Sequence, residues 1–97
     1  MSVKDHITHV EGEKKADIML YALSTCGWCK RTKGLLSDTN VAYDYVDVDT
    51  LYGADREEAL GEMRQFNPKA TFPTMVINQE KCIVGFKEDE IREALGG

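Results

Sequence analysis

The sequence predicts an α/β fold in which one mixed sheet of four strands carries helices on both faces. Apolar runs rich in β-branched residues alternate with segments whose apolar residues recur at helical spacing, in the order β-α-β-α-β-β-α. The 97 residues suffice for one compact domain and are too few for two. All of the predicted elements must therefore share one core.

The first half of the chain predicts a strand, a helix and a second strand after a loose extension. We assign residues 1–16 to an N-terminal extension, with a short added strand as one alternative, and residues 17–97 to the folded domain. Ile18 to Leu23 is a continuous apolar run, typical of a central strand covered on both faces. Helical spacing from Gly27 to Leu36 predicts a helix. Val41 to Asp49 alternates and predicts a strand at an edge of the sheet, with carboxylates on its exposed face.

The second half of the chain predicts a helix, a hairpin of two strands and a closing helix. These elements lie, in chain order, at residues 55–66, 74–78, 82–86 and 87–95. Asp55, with Glu58 three residues later, resembles a capping box at the start of the first of these helices. Gly96 is the predicted stop of the last one. The helix between the first two strands makes these strands parallel, with a right-handed crossover.

Charge argues against a nucleic-acid partner, and hydropathy argues against a membrane span. The chain has 12 basic and 17 acidic residues, and a net charge of -5 argues against nucleic acid because phosphate binding needs a basic face. The charge fits a partner with a basic surface, or it serves solubility alone.

No stretch approaches the roughly 20 apolar residues of a membrane span. Residues 1–15 are polar and lack the apolar segment of a secretory signal, so we expect a cytoplasmic protein.

The motif Cys26-Gly27-Trp28-Cys29 is the candidate reactive group of the chain. Three cysteines in a reducing compartment do not form a structural disulfide framework. A C-x-x-C pair there indicates metal binding or redox chemistry instead. A structural zinc site needs four ligands, and the other candidates are a distant Cys82 and the pair His6 and His9 in the extension. We therefore expect no metal site.

The two cysteines of the motif differ in position and so in expected role. Cys26 lies between the end of the first strand and the first turn of a helix that Ser24-Thr25 would cap. The unpaired N–H groups and the dipole of a helix start favour an anion, and cysteines so placed have pKa values lowered from about 8.5 to about 3.5–7.5. Cys26 is therefore the predicted nucleophile. Cys29 lies on the same turn and deeper, so it is the predicted resolving thiol.

Two motifs and their placement carry a resemblance to known proteins. One is the segment Leu20 to Lys30, which sets a C-x-x-C at a strand–helix junction, and the other is Thr71-Phe72-Pro73-Thr74 ahead of a strand. Over residues 17–95 the chain resembles the thioredoxin superfamily and, within it, the glutaredoxin branch. The resemblance implies a thioredoxin-like fold and a thiol–disulfide oxidoreductase. It also implies a cis peptide bond before Pro73 and a substrate contact by the backbone of Phe72.

Departures from the glutaredoxin pattern bear on the substrate. Members that use glutathione usually carry Lys or Arg three residues before the first cysteine, where this chain has Leu23. They also carry a Gly-Gly-[Cys/Ser]-Asp segment, where this chain has Val84-Gly85-Phe86-Lys87. Gly85-Phe86-Lys87-x-Asp89 is similar to the Gly-Phe-Arg-x-Asp of NrdH-redoxins, which a reductase reduces in place of glutathione. The resemblance therefore implies protein disulfides as substrates and a reductase as electron donor.

We interpret the chain as a monomeric dithiol oxidoreductase without a cofactor, which reduces protein disulfides. The expected substrate-binding residues are Gly27, Trp28, Phe72, Pro73, Gly85 and Phe86. The alternatives are a glutathione-dependent glutaredoxin, an iron–sulfur cluster carrier and a redox-sensing interaction module without turnover. Trp28 either contacts a partner or packs as half-buried core, and Cys82 is most simply a small buried residue.

Overall fold

The computed structural model describes residues 3–95, with side chains from residue 5 onward, so the predicted stop at Gly96 lies outside the described residues. The strands are β1 (Thr8–Val10), β2 (Ile18–Ala22), β3 (Tyr43–Asp47), β4 (Thr74–Ile77) and β5 (Lys81–Val84). The α-helices are α1 (Gly27–Asp38), α2 (Gly53–Arg64) and α3 (Glu88–Ala94), and short 3-10 turns lie at Val3–His6 and Val48–Thr50. Within this part of the chain, no helix combines the length and the apolar character that crossing a membrane requires.

The strands form one mixed sheet in the order β1-β3-β2-β4-β5. β2 and β3 are parallel, as the helix between them predicts, and the other neighbouring pairs are antiparallel. The predicted fold class is confirmed, with five strands in place of four. The additional strand is β1 in the N-terminal extension, which pairs with β3 from Thr8 opposite Tyr45 to Val10 opposite Tyr43.

The position of β1 corrects the interpretation of β3 as an edge strand. β3 lies between β1 and β2, because the extension supplies hydrogen-bonding partners along its outer side. β3 also ends at Asp47, earlier than predicted, since the chain turns into the 3-10 segment Val48–Thr50. Asp49 therefore lies in that turn, beyond the end of the strand.

Helix α2 starts before the predicted capping box. The helix begins at Gly53, and its N-cap residue Tyr52 makes no side-chain capping hydrogen bond. Asp55 lies inside the first turn, where its carboxylate approaches His6 Nε2 at 3.2 Å. An acidic residue is favourable both at the N-cap and in the first turn of a helix, so the sequence pattern does not distinguish the two positions.

Both faces of the sheet are covered, which explains the continuous apolar run of β2. Successive side chains of a strand point to opposite faces. Leu20 and Ala22 belong to the core cluster that α1 and α3 cover, and Tyr21 belongs to the cluster that α2 covers. Leu20 is fully buried, and its truncation to Ala would cost about 2–5 kcal/mol of unfolding free energy. β2 is thus a rigid support for the loop that follows it.

Candidate active site

Four loops meet at the end of the sheet where β2 and β3 terminate. The register pairs Ala22 at the end of β2 with Asp47 at the end of β3, and Tyr21 with Thr74 at the start of β4. Thr74 pairs in turn with Val84 at the end of β5. The segments beyond these positions are the cysteine loop (residues 23–26), residues 48–52, the proline loop (residues 71–73) and residues 85–87. Such strand ends are where α/β sheets form their sites.

Cys26 ends the cysteine loop and caps α1 with its sulfur. Its backbone is extended (φ -84°, ψ 119°), and its Sγ accepts a hydrogen bond of 3.2 Å from the N–H of Cys29. Polar side chains such as Ser or Asp usually satisfy a helical N–H group at this position. The expected capping by Ser24-Thr25 is therefore wrong. The N–H groups and the dipole of a helix start stabilise an anion here, which is the physical basis of the nucleophile role predicted for Cys26.

Cys29 has a different environment from Cys26, although it lies on the same helical turn. Its side chain is fully buried, whereas Cys26 is half-buried. Burial first, and then the hydrogen bond with Cys26 and the charge of Cys26, raise the pKa of the Cys29 thiol to about 12. The Leu23 backbone and Lys33 lower that pKa by a smaller amount. Both cysteines are free thiols, so the structure pairs an accessible sulfur with a buried, protonated one.

Lys33 lies one helical turn after Cys29 and is held in place by two contacts. Its Nζ is 2.9 Å from Asp47 Oδ1, in an ion pair that is largely shielded from water. The same ammonium group lies 4.0 Å from the centre of the Tyr45 ring, a cation–π distance. Residues four apart on a helix are neighbours on one face. Lys33 is therefore a fixed positive charge near Cys29.

Asp49 binds the cysteine loop from the turn after β3. One carboxylate oxygen accepts the backbone N–H of Ser24 at 2.8 Å, and the other accepts the Ser24 hydroxyl at 2.5 Å. These hydrogen bonds lower the pKa of the Asp49 carboxyl group. Sequence reasoning placed this residue on an exposed strand face and missed the contact. The available signal was topological, because parallel strands β2 and β3 end at the same edge of the sheet.

The proline loop has the cis peptide bond that the family resemblance implies, between Phe72 and Pro73. Pro73 is fully buried, and its carbonyl accepts the N–H of Gly85 at 2.8 Å. Gly85 adopts a positive φ of 84°, which L side chains rarely adopt. Three of the predicted substrate-binding residues thus lie together. β5 ends at Val84, earlier than predicted, which places Gly85 in the loop before α3.

Asn67 lies just after the end of α2 and holds the proline loop through side-chain hydrogen bonds. Its side-chain amide donates to the hydroxyl groups of Thr71 and Thr74, at 3.1 and 3.0 Å. The Thr74 hydroxyl donates in turn to the Thr71 carbonyl at 2.6 Å. Asn67 is buried, so water does not compete strongly for these bonds. The sequence pattern indicated only a helix stop at this residue.

Trp28 lies on the surface between the two cysteines. Its side chain is 57% exposed, and its ring stacks on Phe86 with centroids 6.0 Å apart. The Arg31 guanidinium lies 5.0 Å from the Trp28 ring centre. This exposure excludes the interpretation of Trp28 as half-buried core and leaves contact with a partner. Among the described residues, the other large apolar side chain with comparable exposure is Tyr52, which follows the turn that holds Asp49.

The remaining candidates lie outside this group. Cys82 is half-buried on β5, and burial raises the pKa of its thiol. His9 is exposed but approaches Asp44 at 2.6 Å. In the chain between residues 3 and 95, no three His, Cys, Asp or Glu side chains are grouped so that they could hold a metal ion.

Comparison with known proteins gives one consistent result. The glutaredoxin family model matches residues 18–82. A glutaredoxin from Methanosarcina mazei is 56% identical, with a TM-score of 0.88 over 96% of this chain and 90% of that one. Methanosarcina acetivorans methanoredoxin is 50% identical, with a TM-score of 0.86 over 89% of this chain and 90% of that one. A glutaredoxin-like protein of 8.6 kDa from Clostridium pasteurianum is 38% identical over 74 residues, which are 76% of this chain and 91% of that protein.

Proposed function

The chain belongs to the glutaredoxin family, and from the unequal environments of its two cysteines we propose that it is a dithiol oxidoreductase that reduces protein disulfides. The observation that carries the proposal is the hydrogen bond from the Cys29 N–H to the Cys26 sulfur at the start of α1. Cys26 is partly exposed and its sulfur accepts this hydrogen bond, whereas Cys29 is buried and remains a thiol. A two-step exchange needs this division of roles.

In the first step, the Cys26 thiolate attacks one sulfur of a substrate disulfide. A bond forms between Cys26 Sγ and that sulfur, and the other substrate sulfur leaves as a thiolate that takes a proton from water. The peptide N–H groups at the start of α1 stabilise the attacking anion before the reaction. Burial keeps Cys29 protonated at this stage, so it does not compete as a nucleophile.

In the second step, Cys29 resolves the mixed disulfide. Cys26 carries no charge once it is bound to the substrate, so the contributions of Cys26 that raise the pKa of Cys29 are removed. Burial still opposes ionisation, while Lys33 and the Leu23 backbone favour it. Cys29 loses its proton to water and attacks Cys26 Sγ, and the second substrate sulfur leaves as a thiolate with the electron pair of the broken bond and takes a proton from water. Two electrons have then passed to the substrate, and Cys26–Cys29 is oxidised.

Protein substrates are supported by the side chains around the cysteines. Leu23 packs against the α2 core cluster at the place where glutathione-using relatives carry a cation. Phe86 stacks under Trp28 and offers no hydroxyl or thiol group for a carboxylate. Trp28 and Tyr52 expose large apolar surface, which protein partners bury efficiently. We propose that a partner chain contacts Gly27, Trp28 and the Phe72 backbone, with Gly85 and Phe86 at the border of the site.

The nucleophile assignment is tested with single substitutions and one matched control. Cys26→Ser should abolish reduction of insulin disulfides, and Cys29→Ser should accumulate mixed disulfides visible by mass spectrometry. Cys82→Ser, which removes a thiol away from the four loops, should keep the wild-type rate. Full activity of Cys26→Ser, or loss of activity in Cys82→Ser, would show that the chemistry is assigned to the wrong sulfur.

The electron donor is tested by supplying two complete reducing systems to the same protein. We propose a monomer in the reducing cytoplasm that accepts electrons from a reductase. Thioredoxin reductase with NADPH should therefore support insulin reduction, and glutathione with glutathione reductase and NADPH should support far less. Turnover with glutathione alone would establish the glutathione-dependent alternative and refute the reductase proposal.

A further inference from the structure

Asp49 connects two segments of the site that are 25 residues apart in the chain. It lies in the 3-10 turn after β3, and its carboxylate holds Ser24 through both the backbone N–H and the hydroxyl. Ser24 lies two residues before Cys26, in the loop that also contains the hydrogen bond from the Cys26 N–H to the Leu23 carbonyl. The carboxylate is therefore hydrogen-bonded to the segment that determines the position of the Cys26 sulfur, and it makes no hydrogen bond to either cysteine.

We propose that Asp49 is a positioning residue that holds the cysteine loop so that the Cys26 sulfur accepts the Cys29 N–H. The proposal rests on the proposed function, because it assumes that the accessible sulfur is the reacting one. Charge-assisted hydrogen bonds are stronger than neutral ones, and here both oxygens of one carboxylate bind one residue. One end of this four-residue loop continues directly from β2, so the bonds to Ser24 add a second restraint before Cys26.

The hydrogen bonds to Ser24 should matter most in the reduced protein. In the oxidised protein the Cys26–Cys29 bond itself holds the two sulfurs together. In the reduced protein that constraint is absent, and the Cys29 N–H bond of 3.2 Å depends on the conformation of the loop. Loss of the Asp49 bonds should therefore destabilise the reduced form relative to the disulfide form, which makes the reduction potential more negative.

The charge of Asp49 has an effect opposite to that of its hydrogen bonds. The negative charge of a carboxylate close to the cysteine loop repels other anions there, whereas its hydrogen bonds hold the loop. Asn at position 49 keeps an oxygen that accepts the Ser24 N–H and an amide that donates to the Ser24 hydroxyl, but it removes the charge. Ala removes both. Asp49→Asn and Asp49→Ala therefore separate positioning from electrostatics.

The test measures the alkylation rate of Cys26 by iodoacetamide at pH 7 in the full-length reduced chain, followed by peptide mass spectrometry. Asp49→Ala should react about threefold to tenfold more slowly than wild type, in line with the loss of charge-assisted hydrogen bonds at an exposed site. Asp49→Asn should react at the wild-type rate or faster. In a dithiothreitol redox buffer, the equilibrium constant for reduction of Asp49→Ala should fall by a similar threefold to tenfold, which corresponds to a potential about 14–30 mV more negative.

Two further variants make the result specific. Ser24→Ala removes one of the two bonds and should give an intermediate rate, and it should add little to Asp49→Ala because both act through one contact. Asp44→Ala removes another carboxylate of the β3 segment, bound to His9 rather than to the cysteine loop, and should keep the wild-type rate.

Each other outcome overturns the positioning role. Faster alkylation of both Asp49 variants would show that the residue acts through its charge alone. Unchanged alkylation with a lowered melting temperature would show that it is merely structural, and Ser24→Ala gives the same comparison if Asp49→Ala does not fold. Absence of reaction at Cys26 in the wild-type chain would contradict the proposed function itself, which separates the two failures.

Discussion

Around Cys26, polar side chains bind backbone and side-chain atoms of the loops, whereas along the N-terminal segment the histidines bind other side chains at the surface. Asp49 and Asn67 accept from or donate to loop atoms, and Asn67 is buried. His6 and His9 instead approach Asp55 and Asp44 on exposed surfaces. The first kind of contact determines a loop conformation, and the second adds a weak attraction between surface side chains, in the case of His9 between strands that the sheet already pairs.

The difference shows which contacts the chemistry depends on. The cysteine and proline loops have no regular ladder of backbone hydrogen bonds, so side chains must hold them. β1 already has its backbone paired with β3, so the contact of His9 with Asp44 is supplementary. Substitutions should therefore have large effects near the four loops and small effects on the N-terminal segment.

Among the polar contacts of these two regions, the largest effect on stability is expected at Asn67. Asn67→Ala removes hydrogen bonds to Thr71 and Thr74 that are shielded from water, and it should lower the free energy of unfolding by about 2–3 kcal/mol. Urea denaturation measures the loss. Gln65→Ala, at an exposed position close by, is the matched control and should change stability by less than about 0.5 kcal/mol. Equal stability of the two variants would contradict the supporting role of Asn67.

The next effect is expected at Lys33, and it concerns the second chemical step. Lys33 lowers the pKa of Cys29, so Lys33→Met should move the pH profile of mixed-disulfide resolution to higher pH and slow this step severalfold near pH 7. Stopped-flow measurement of substrate release after formation of the mixed disulfide tests this. The first step should change much less.

The control for this prediction is Lys30→Met on the same helix. Lys30 is exposed, so its removal should leave the resolution step close to wild type. If both lysine variants slowed the step equally, the effect would come from net charge and not from the partly buried position of Lys33.

The central site could be predicted from the sequence because its chemistry is local. Cys26 and Cys29 lie three residues apart on one helical turn, and the alternating pattern of strands and helices places that turn at a strand end. The contacts of Asp49 and Asn67 could not be predicted in the same way. They depend on the exact ends of β3 and α2, and a carboxylate in a turn has the same sequence signature as one on an exposed strand.

The N-terminal strand β1 was also difficult to predict from the sequence, for a different reason. Thr8–Val10 is short, and its burial pattern is mostly exposed, so its alternation alone is weak. What makes it a strand is the open edge of β3, a feature of the assembled sheet. Its presence changed the interpretation of β3 without changing the fold class.

A moderate effect is expected at Trp28, and it should depend on the size of the substrate. Trp28→Ala removes an exposed aromatic surface that stacks on Phe86, and it should lower kcat/KM for insulin about fivefold to tenfold. The rate with a small disulfide such as hydroxyethyl disulfide should stay within about twofold, because small substrates bury little of this surface. An equal loss with both substrates would assign Trp28 to the chemistry and not to partner binding.

The smallest effect is expected at His9. The contact with Asp44 is short, at 2.6 Å, but both side chains are about half exposed, and exposed pairs contribute about 0–1 kcal/mol. His9→Ala should therefore change the free energy of unfolding by less than about 1 kcal/mol and leave insulin reduction unchanged. Because β1 keeps its backbone pairing with β3 in this variant, loss of activity would mean that the N-terminal segment reaches the four loops through the sheet, and the distinction between the two regions would no longer hold.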